Sequence, residues 1–237
     1  MRRIVAIGGG GFLMERGRSP LDEYVVSLID VARPRICFLN TGGGDPEEGL
    51  AKYYSAFRRF NARLSHLAFF RKPRTGSIPL LDVEPYLLEQ DLIYVGGGNT
   101  RAMLSVWREW SLPRILRIAH RQGTLLAGMS AGALCWFDWA ASDYAWTGRS
   151  NPLRCLGLLK GSCSTHWHRE RHRRADYLRL VKRGLLPSGY GIDDGAAVMF
   201  ENGRFVEVVS SQSGVSASYV ERVGSRAKET RLKARLL

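Results

Sequence analysis

An apolar run, Thr124-Leu125-Leu126-Ala127, leads directly into Gly128-Met129-Ser130-Ala131-Gly132-Ala133, and this junction restricts the fold more than any other segment of the chain. The run reads as a buried strand. Leu134-Cys135-Trp136-Phe137, beyond the turn, reads as the opening of a helix. Strand, sharp turn with glycine two residues either side of a serine, then helix is the pattern of a nucleophile elbow. Glycine allows the close backbone approach that such a turn needs, and the turn can then hold Ser130 strained and exposed. At a helix N-terminus the serine Oγ lies beside backbone N–H groups able to stabilise a developing oxyanion.

The rest of the chain supplies a sheet to carry this elbow. Short runs rich in branched residues occur at 4–7, 36–39, 64–69, 92–95 and 124–127. Between them lie longer amphipathic stretches at 21–31, 47–60, 83–89 and 100–120, the last divided by Pro113. This alternation predicts an α/β fold with a mostly parallel sheet and helices on both faces. After about residue 185 the pattern changes to short strands at 190–193, 196–200, 204–209 and 217–220. Asn202-Gly203 marks a hairpin between two of them, so an antiparallel C-terminal extension is expected at the sheet edge. A single domain over 1–221 follows, with 222–237 as a basic, weakly patterned tail, helical or disordered.

Composition narrows the function classes. The net charge of +13 invites a nucleic-acid partner, but the basic residues are spread along the chain without a nucleic-acid motif. No apolar run reaches the ~18 residues of a membrane helix, and no secretory leader precedes the first strand, so a cytoplasmic protein is expected. The four cysteines form no CxxC pair. Glycine-rich turns follow strands at 8–11, 42–44 and 96–98, where open α/β sheets build their sites. The first lacks the spacing of a dinucleotide fingerprint, and none continues into the Gly-Lys-Ser/Thr of a P-loop. No cofactor is expected.

A serine nucleophile needs a base. His66 and His120 lie within regular elements and read as structural. His166, His168 and His172 stand together after Leu156-Gly157-Leu158. Their spacing also suits a metal, but Arg169, Arg171, Arg173 and Arg174 would repel a cation, so no metal site is expected. Four aspartates are candidates for the acid. Asp143 follows the elbow in a polar, turn-like stretch that can fold back, Asp138 falls where the helix should still run, and Asp193-Asp194-Gly195 reads as turn chemistry.

Taken in order, Gly96-Gly97-Gly98-Asn99-Thr100, Gly128 to Ala133, Leu156-Gly157-Leu158 leading to Thr165-His166, and Gly191-Ile192-Asp193-Asp194-Gly195 resemble the S51 serine peptidases, which include peptidase E (aspartyl dipeptidase) and cyanophycinase. The resemblance spans roughly residues 4–210. It implies a flavodoxin-like sheet related to class I glutamine amidotransferases. It implies Ser130 as nucleophile, His166 as base and an acid 13–20 residues after the serine, for which Asp143 is the best match. It also implies an oxyanion hole from the N–H groups of Gly98 and Ala131, with Asn99 contacting substrate. Where peptidase E-like sequences commonly have Asn-Pro-His, this chain has Ser164-Thr165-His166.

The expected activity is hydrolysis of short peptides. The arginines after the base suggest an acidic group near the scissile bond, with Arg171 and Arg174, three apart on one helical face, as the choices to bind it. The alternative is a non-catalytic or glutamine amidotransferase-like member of the fold holding a small anion. It is weaker, because a glutaminase needs cysteine where Ser130 stands and Cys135 falls in the following helix. Expected partners are a peptide substrate and, as an option, a second copy in a homodimer, with no nucleic acid and no membrane.

Overall fold

The branched apolar runs become five parallel strands. In the computed structural model, which describes residues 1–15, 17–71 and 76–237 (Arg171 by its backbone only), these are β1 (Arg3–Ile7), β2 (Arg35–Leu39), β3 (Arg63–Leu67), β4 (Leu92–Val95) and β5 (Leu125–Met129). They lie in the order β1-β5-β4-β2-β3. The side-chain period of two sends Ile4 and Ala6 of β1 into one buried cluster and Val5 and Ile7 into another, so both faces of the sheet are covered.

The covering helices start where local chemistry allows. α1 (Gly11–Met14) is a single turn that brings Phe12 onto Phe38, Phe57 and Tyr94. α2 (Pro20–Ser27) begins with Ser19 accepting from the Asp22 N–H and with proline in its first turn. α3 (Glu47–Phe57) and α4 (Val83–Leu88) follow β2 and β3. α5 (Thr100–Glu109) is capped by Asn99, and α6 (Leu112–Gln122) restarts after a break at Ser111, with Pro113 in its first turn and Gly123 left-handed at its end. The division expected at Pro113 is thus observed. None of the helices among the described residues is long and apolar enough to cross a membrane.

The elbow helix ends sooner than the sequence suggests. α7 (Ala131–Leu134) is four residues long, and Phe137 already belongs to a strand, β6 (Phe137–Ser142). Tertiary packing overrides the local reading: Trp136 and Phe137 are fully buried, and Phe137 meets the rings of Tyr190 and Phe200. β6 opens a second sheet. It continues with β7 (Asn151–Arg154), β8 (Leu159–Thr165) and, after α8 (Arg171–Lys182), β9 (Gly189–Ile192).

The antiparallel extension is also present. β10 (Ala196–Glu201) pairs antiparallel with β1, and β11 (Arg204–Ser210) with β10 across the Asn202-Gly203 turn. β12 (Ala217–Val223) goes instead to the second sheet, against β9. The residues read as a tail are strands: β13 (Arg226–Arg231) pairs with β12, and β14 (Ala234–Leu236) adds in parallel to β11. The alternation in Arg226-Ala227-Lys228-Glu229 explains this, turning Ala227 and Glu229 inward and the basic residues to solvent. Basic side chains on such outer strands also oppose pairing with another chain. The two sheets therefore run β14-β11-β10-β1-β5-β4-β2-β3 and β13-β12-β9-β8-β6-β7.

Candidate active site

β5 delivers Ser130 to the end of the first sheet in the geometry of an elbow. Its φ of 56° and ψ of −117° are unusual for a residue with a side chain. The turn is fixed from several sides. The Ser130 N–H donates to the Ile7 carbonyl at 3.0 Å, and the Ser130 carbonyl accepts from Ala133 and Leu134, each at 2.9 Å. A Cβ on Gly128 would collide with the Gly132 backbone, and one on Gly132 with the Val95 carbonyl. Both glycines of the motif are thus required by close approach, and their packing holds a conformation that costs of order 1–3 kcal/mol for a non-glycine residue.

β8 delivers the histidine that meets the serine. His166 follows its last residue, Thr165, and also has a positive φ, 55°. Its Nε2 lies 2.8 Å from Ser130 Oγ, and its Nδ1 lies 2.6 Å from Asp194 Oδ1. Asp194 stands just past β9, the neighbour of β8 in the second sheet, where Thr165 is in register with Ile192. Burial pulls the Asp194 carboxyl upward. Hydrogen bonds and charge from His166 and Arg169 outweigh that and hold it below the ordinary carboxylate value. An ionised Asp194 accepts the Nδ1–H, which assigns the free lone pair to Nε2, facing the serine hydroxyl. Arg169 Nη1 donates to the second oxygen of Asp194 at 3.0 Å.

The first glycine-rich turn finds its use here. A Cβ on Gly9 would collide with Asp194 Oδ1, and one on Gly8 with the Asp193 carbonyl. The Gly195 N–H donates to the Gly9 carbonyl at 2.7 Å. The turn therefore seats the loop that carries Asp194.

The carboxylate beside His166 is that of Asp194, not Asp143. Both oxygens of Asp143 are engaged within its own turn, accepting from the N–H groups of Thr147 and Gly148 at 2.9 Å each. Asp138 lies in β6, where it accepts from the Gly161 N–H and faces Lys160. The three clustered histidines diverge. His168 Nδ1 is 2.6 Å from Asp193 Oδ1, whose other oxygen accepts the Ser216 N–H, and His172 faces Glu170. The sequence signal for Asp194 was its place at the end of a strand parallel to the one ending at the histidine. Chain order alone does not show that β8 and β9 are neighbours.

The remaining site residues divide. The N–H of Ala131 is at the first position of α7, so it has no partner within that helix. Neither it nor the Gly98 N–H has a backbone partner among the described residues. Gly97 lies against Ser130, where a Cβ would be 3.3 Å from the serine Cβ. Asn99, expected to contact substrate, has both ends of its amide engaged: Oδ1 accepts from the Ala102 N–H at 3.0 Å, and Nδ2 donates to the Tyr144 carbonyl at 2.9 Å. Its position fixes the Gly98 turn. Arg174, expected at the substrate, pairs with Glu229 of β13 at 2.6 Å. The Arg171 side chain lies outside the described residues. Among the described side chains, the arginine that reaches Asp194 is Arg169.

Comparison with known proteins identifies the family and the fold. The model of peptidase family S51 matches residues 4–208. A curated relative, the uncharacterized peptidase YgaJ of Bacillus subtilis (strain 168), is 43% identical over 217 residues, covering 92% of this chain and 91% of its own. Among solved structures, a peptidase from an acI-B1 Actinobacterium superposes with a TM-score of 0.71 at 17% identity, covering 99% of this chain and 95% of that one. A putative peptidase E protein from Listeria monocytogenes EGD-e gives 0.60 at 15% identity, over 98% and 100%. At these identities the structural likeness carries the fold, and it agrees with the flavodoxin-like, class I glutamine amidotransferase-like architecture expected from the sequence.

Proposed function

Since the chain belongs to peptidase family S51, we propose that it cleaves short peptides by acyl transfer through Ser130, with His166 as general base and Asp194 as the acid that orients it. The observation that carries this reading is the relay Ser130 Oγ to His166 Nε2 at 2.8 Å, continued by His166 Nδ1 to Asp194 Oδ1 at 2.6 Å. The serine hydroxyl passes its proton to Nε2 as Oγ attacks the scissile carbonyl. Asp194 stabilises the imidazolium that forms, and His166 then gives the proton to the leaving amine. Water repeats the sequence on the acyl-enzyme and releases the acid product. In this reading the N–H groups of Gly98 and Ala131 receive the oxyanion, which is supported by their lack of backbone partners among the described residues and by the Asn99 bonds beside the first turn.

An acidic residue beside the cleaved bond is the substrate preference we favour, read by Arg169 rather than by Arg171 or Arg174. Arg169 uses Nη1 on Asp194 and keeps its side chain 66% exposed beside the catalytic residues, so its other donors are open to a carboxylate. The glutaminase-like alternative has no support in the cysteines. Cys135 is fully buried, its thiol donates to the Gly132 carbonyl, and burial pushes its pKa well above the ordinary thiol value.

A fluorophosphonate probe tests the proposal directly. One equivalent should label the wild-type protein at Ser130 and none the Ser130→Ala variant. Turnover of dipeptides should fall by four or more orders of magnitude in that variant, on the order seen when a triad member is removed. Retention of peptidase activity by clean Ser130→Ala protein would reject the serine mechanism.

A further inference from the structure

A second histidine–aspartate pair stands beside the relay. His168 Nδ1 lies 2.6 Å from Asp193 Oδ1, the same separation as His166 Nδ1 from Asp194 Oδ1. Both pairs join the same two loops, one leaving β8 and the other leaving β9. The strands set these loops side by side: Thr165 is in register with Ile192, and the Trp167 N–H donates to the Ile192 carbonyl at 3.2 Å. Trp167, between the two histidines, packs elsewhere. Its indole is fully buried against Gly191, where a Cβ would collide with the ring, and its Nε1–H donates to Glu229 Oε1 at 3.0 Å.

Asp193 is a fixed post. Its N–H donates to the Ser216 carbonyl at 3.0 Å, its Oδ2 accepts the Ser216 N–H at 3.0 Å, and its carbonyl accepts the Ala196 N–H at 3.2 Å. These bonds tie it to the residue before β12 and to the first residue of β10. Its side chain is 9% exposed. A carboxylate buried to this degree needs a donor for each oxygen. Ser216 supplies one and His168 the other, its ring donating from Nδ1–H.

The segment that carries both histidines is a closed turn, with the Glu170 N–H donating to the His166 carbonyl at 3.2 Å. Three side chains of this turn grip the β9 loop. His166 takes Asp194 Oδ1, Arg169 takes Asp194 Oδ2, and His168 takes Asp193 Oδ1. The Arg169 side chain is largely exposed, so water and salt compete with its contact. The His168 contact ends on a buried carboxylate bound to main chain, which makes it the firmer of the two ties that flank the relay.

We propose that His168 is a positioning residue for the serine relay: by clamping the turn at 166–170 to Asp193, it holds His166 and Arg169 on the two oxygens of Asp194. The inference rests on the reading of Ser130, His166 and Asp194 as the reacting groups, and it adds a residue that acts on them without touching substrate. The clamp has a second effect. Asp193 is next to Asp194 in the chain, and a buried carboxylate lacking a donor would compete with Asp194 for the donors of the same turn. With His168 on Asp193, the His166 and Arg169 donors are left to Asp194.

Removing the donor while keeping a ring tests the clamp. The His168 side chain is 56% exposed and meets the Trp167 indole edge-on, so His168→Phe can keep that contact and lose the bond. In His168→Phe, kcat on Ala-Leu should fall by about tenfold or more, the scale of a small misplacement in a reacting geometry, with KM changed by less than about threefold. His168→Asn places an amide Nδ2 close to where Nδ1 stood, and it should restore kcat to within about threefold of wild type. The proton NMR signal of the His166 Nδ1–H, identified by its loss in Asp194→Asn, reads the clamp without turnover. It should persist in wild type and in His168→Asn and broaden or vanish in His168→Phe. A folded His168→Phe protein with wild-type kcat, a His168→Asn protein as slow as His168→Phe, or an Nδ1–H signal untouched in His168→Phe would overturn the proposal. Where His168→Phe does not fold, His168→Ala is compared with His168→Asn in the same way. Failure of the serine reading looks different. Wild-type protein would then take no fluorophosphonate at Ser130 and hydrolyse no dipeptide, and the Nδ1–H signal alone would decide whether His168 holds His166 on Asp194.

Discussion

His166 Nδ1 and Asp194 Oδ1 stand 2.6 Å apart across the ends of β8 and β9, and the space for that contact exists because Gly9 has no side chain. The three residues come from segments far apart in the chain. Strand neighbours bring the first two together, and the isolated bridge from Gly9 to Asp194 brings in the third. A methyl at position 9 would collide with Asp194 Oδ1 and stand 3.0 Å from His166 Cε1. Gly9→Ala is therefore expected to lower kcat by 10²-fold or more, a loss typical of small misplacements in a reacting geometry. KM should change little. An undisturbed kcat in a folded Gly9→Ala protein would show that the contact is not needed for turnover.

The same contact separates two aspartates. Asp194→Asn should lower kcat by about 10⁴-fold with little change in KM, because it removes the charge that stabilises imidazolium and favours the wrong tautomer. Asp143→Asn removes an acceptor from a turn whose N–H groups an amide oxygen can still meet, so its kcat should stay within a few-fold of wild type. Steady-state kinetics of the two variants on one dipeptide compare them directly. The opposite ranking would return the acid role to Asp143.

Asp194 also links stability to pH. Its carboxyl is depressed in the folded protein, so the stability it adds is fully present above the unfolded-state value of about 4. That increment is lost as the pH falls through the depressed folded value. The difference in Tm between wild type and Asp194→Asn should therefore be largest above about pH 5 and shrink as the pH falls toward 2. A difference that is flat across that range would contradict the ionic contact. The Arg169 side of the pair is largely exposed and adds little to the effect.

Much of this arrangement is legible in the residues. The elbow is, because Gly128 and Gly132 are dictated by local approach and sit within a few residues of Ser130. The parallel strands are, because each is a short branched run between turns. His166 is named by its motif. Asp194 is not, because its role depends on the pairing of β8 with β9, a long-range choice that no local pattern encodes. For the same reason the Gly8–Gly9 turn could be denied a nucleotide on spacing but not given its use. β6 and β13 escaped for two different reasons. Buried aromatics after the elbow fit a helix or a strand equally well, and the alternation in 226–231 is masked by its charge.

The substrate preference turns on Arg169, and its two contacts can be separated by experiment. Its bond to Asp194 acts on every substrate alike, since it helps hold the acid in place. A bond to a substrate carboxylate acts only on peptides that carry one. Arg169→Gln should therefore lower kcat/KM for all dipeptides by a common, modest factor and lower it further for Asp-Leu than for Ala-Leu. Because the side chain is exposed, the extra attraction is screened by salt, and the wild-type preference for Asp-Leu should narrow between low salt and 0.5 M NaCl. In Arg174→Gln the preference should be unchanged, since that guanidinium is committed to Glu229. Equal loss on Asp-Leu and Ala-Leu in Arg169→Gln would leave this arginine as a support for Asp194 alone. The enzyme would then be a dipeptide hydrolase indifferent to charge at the cleaved bond.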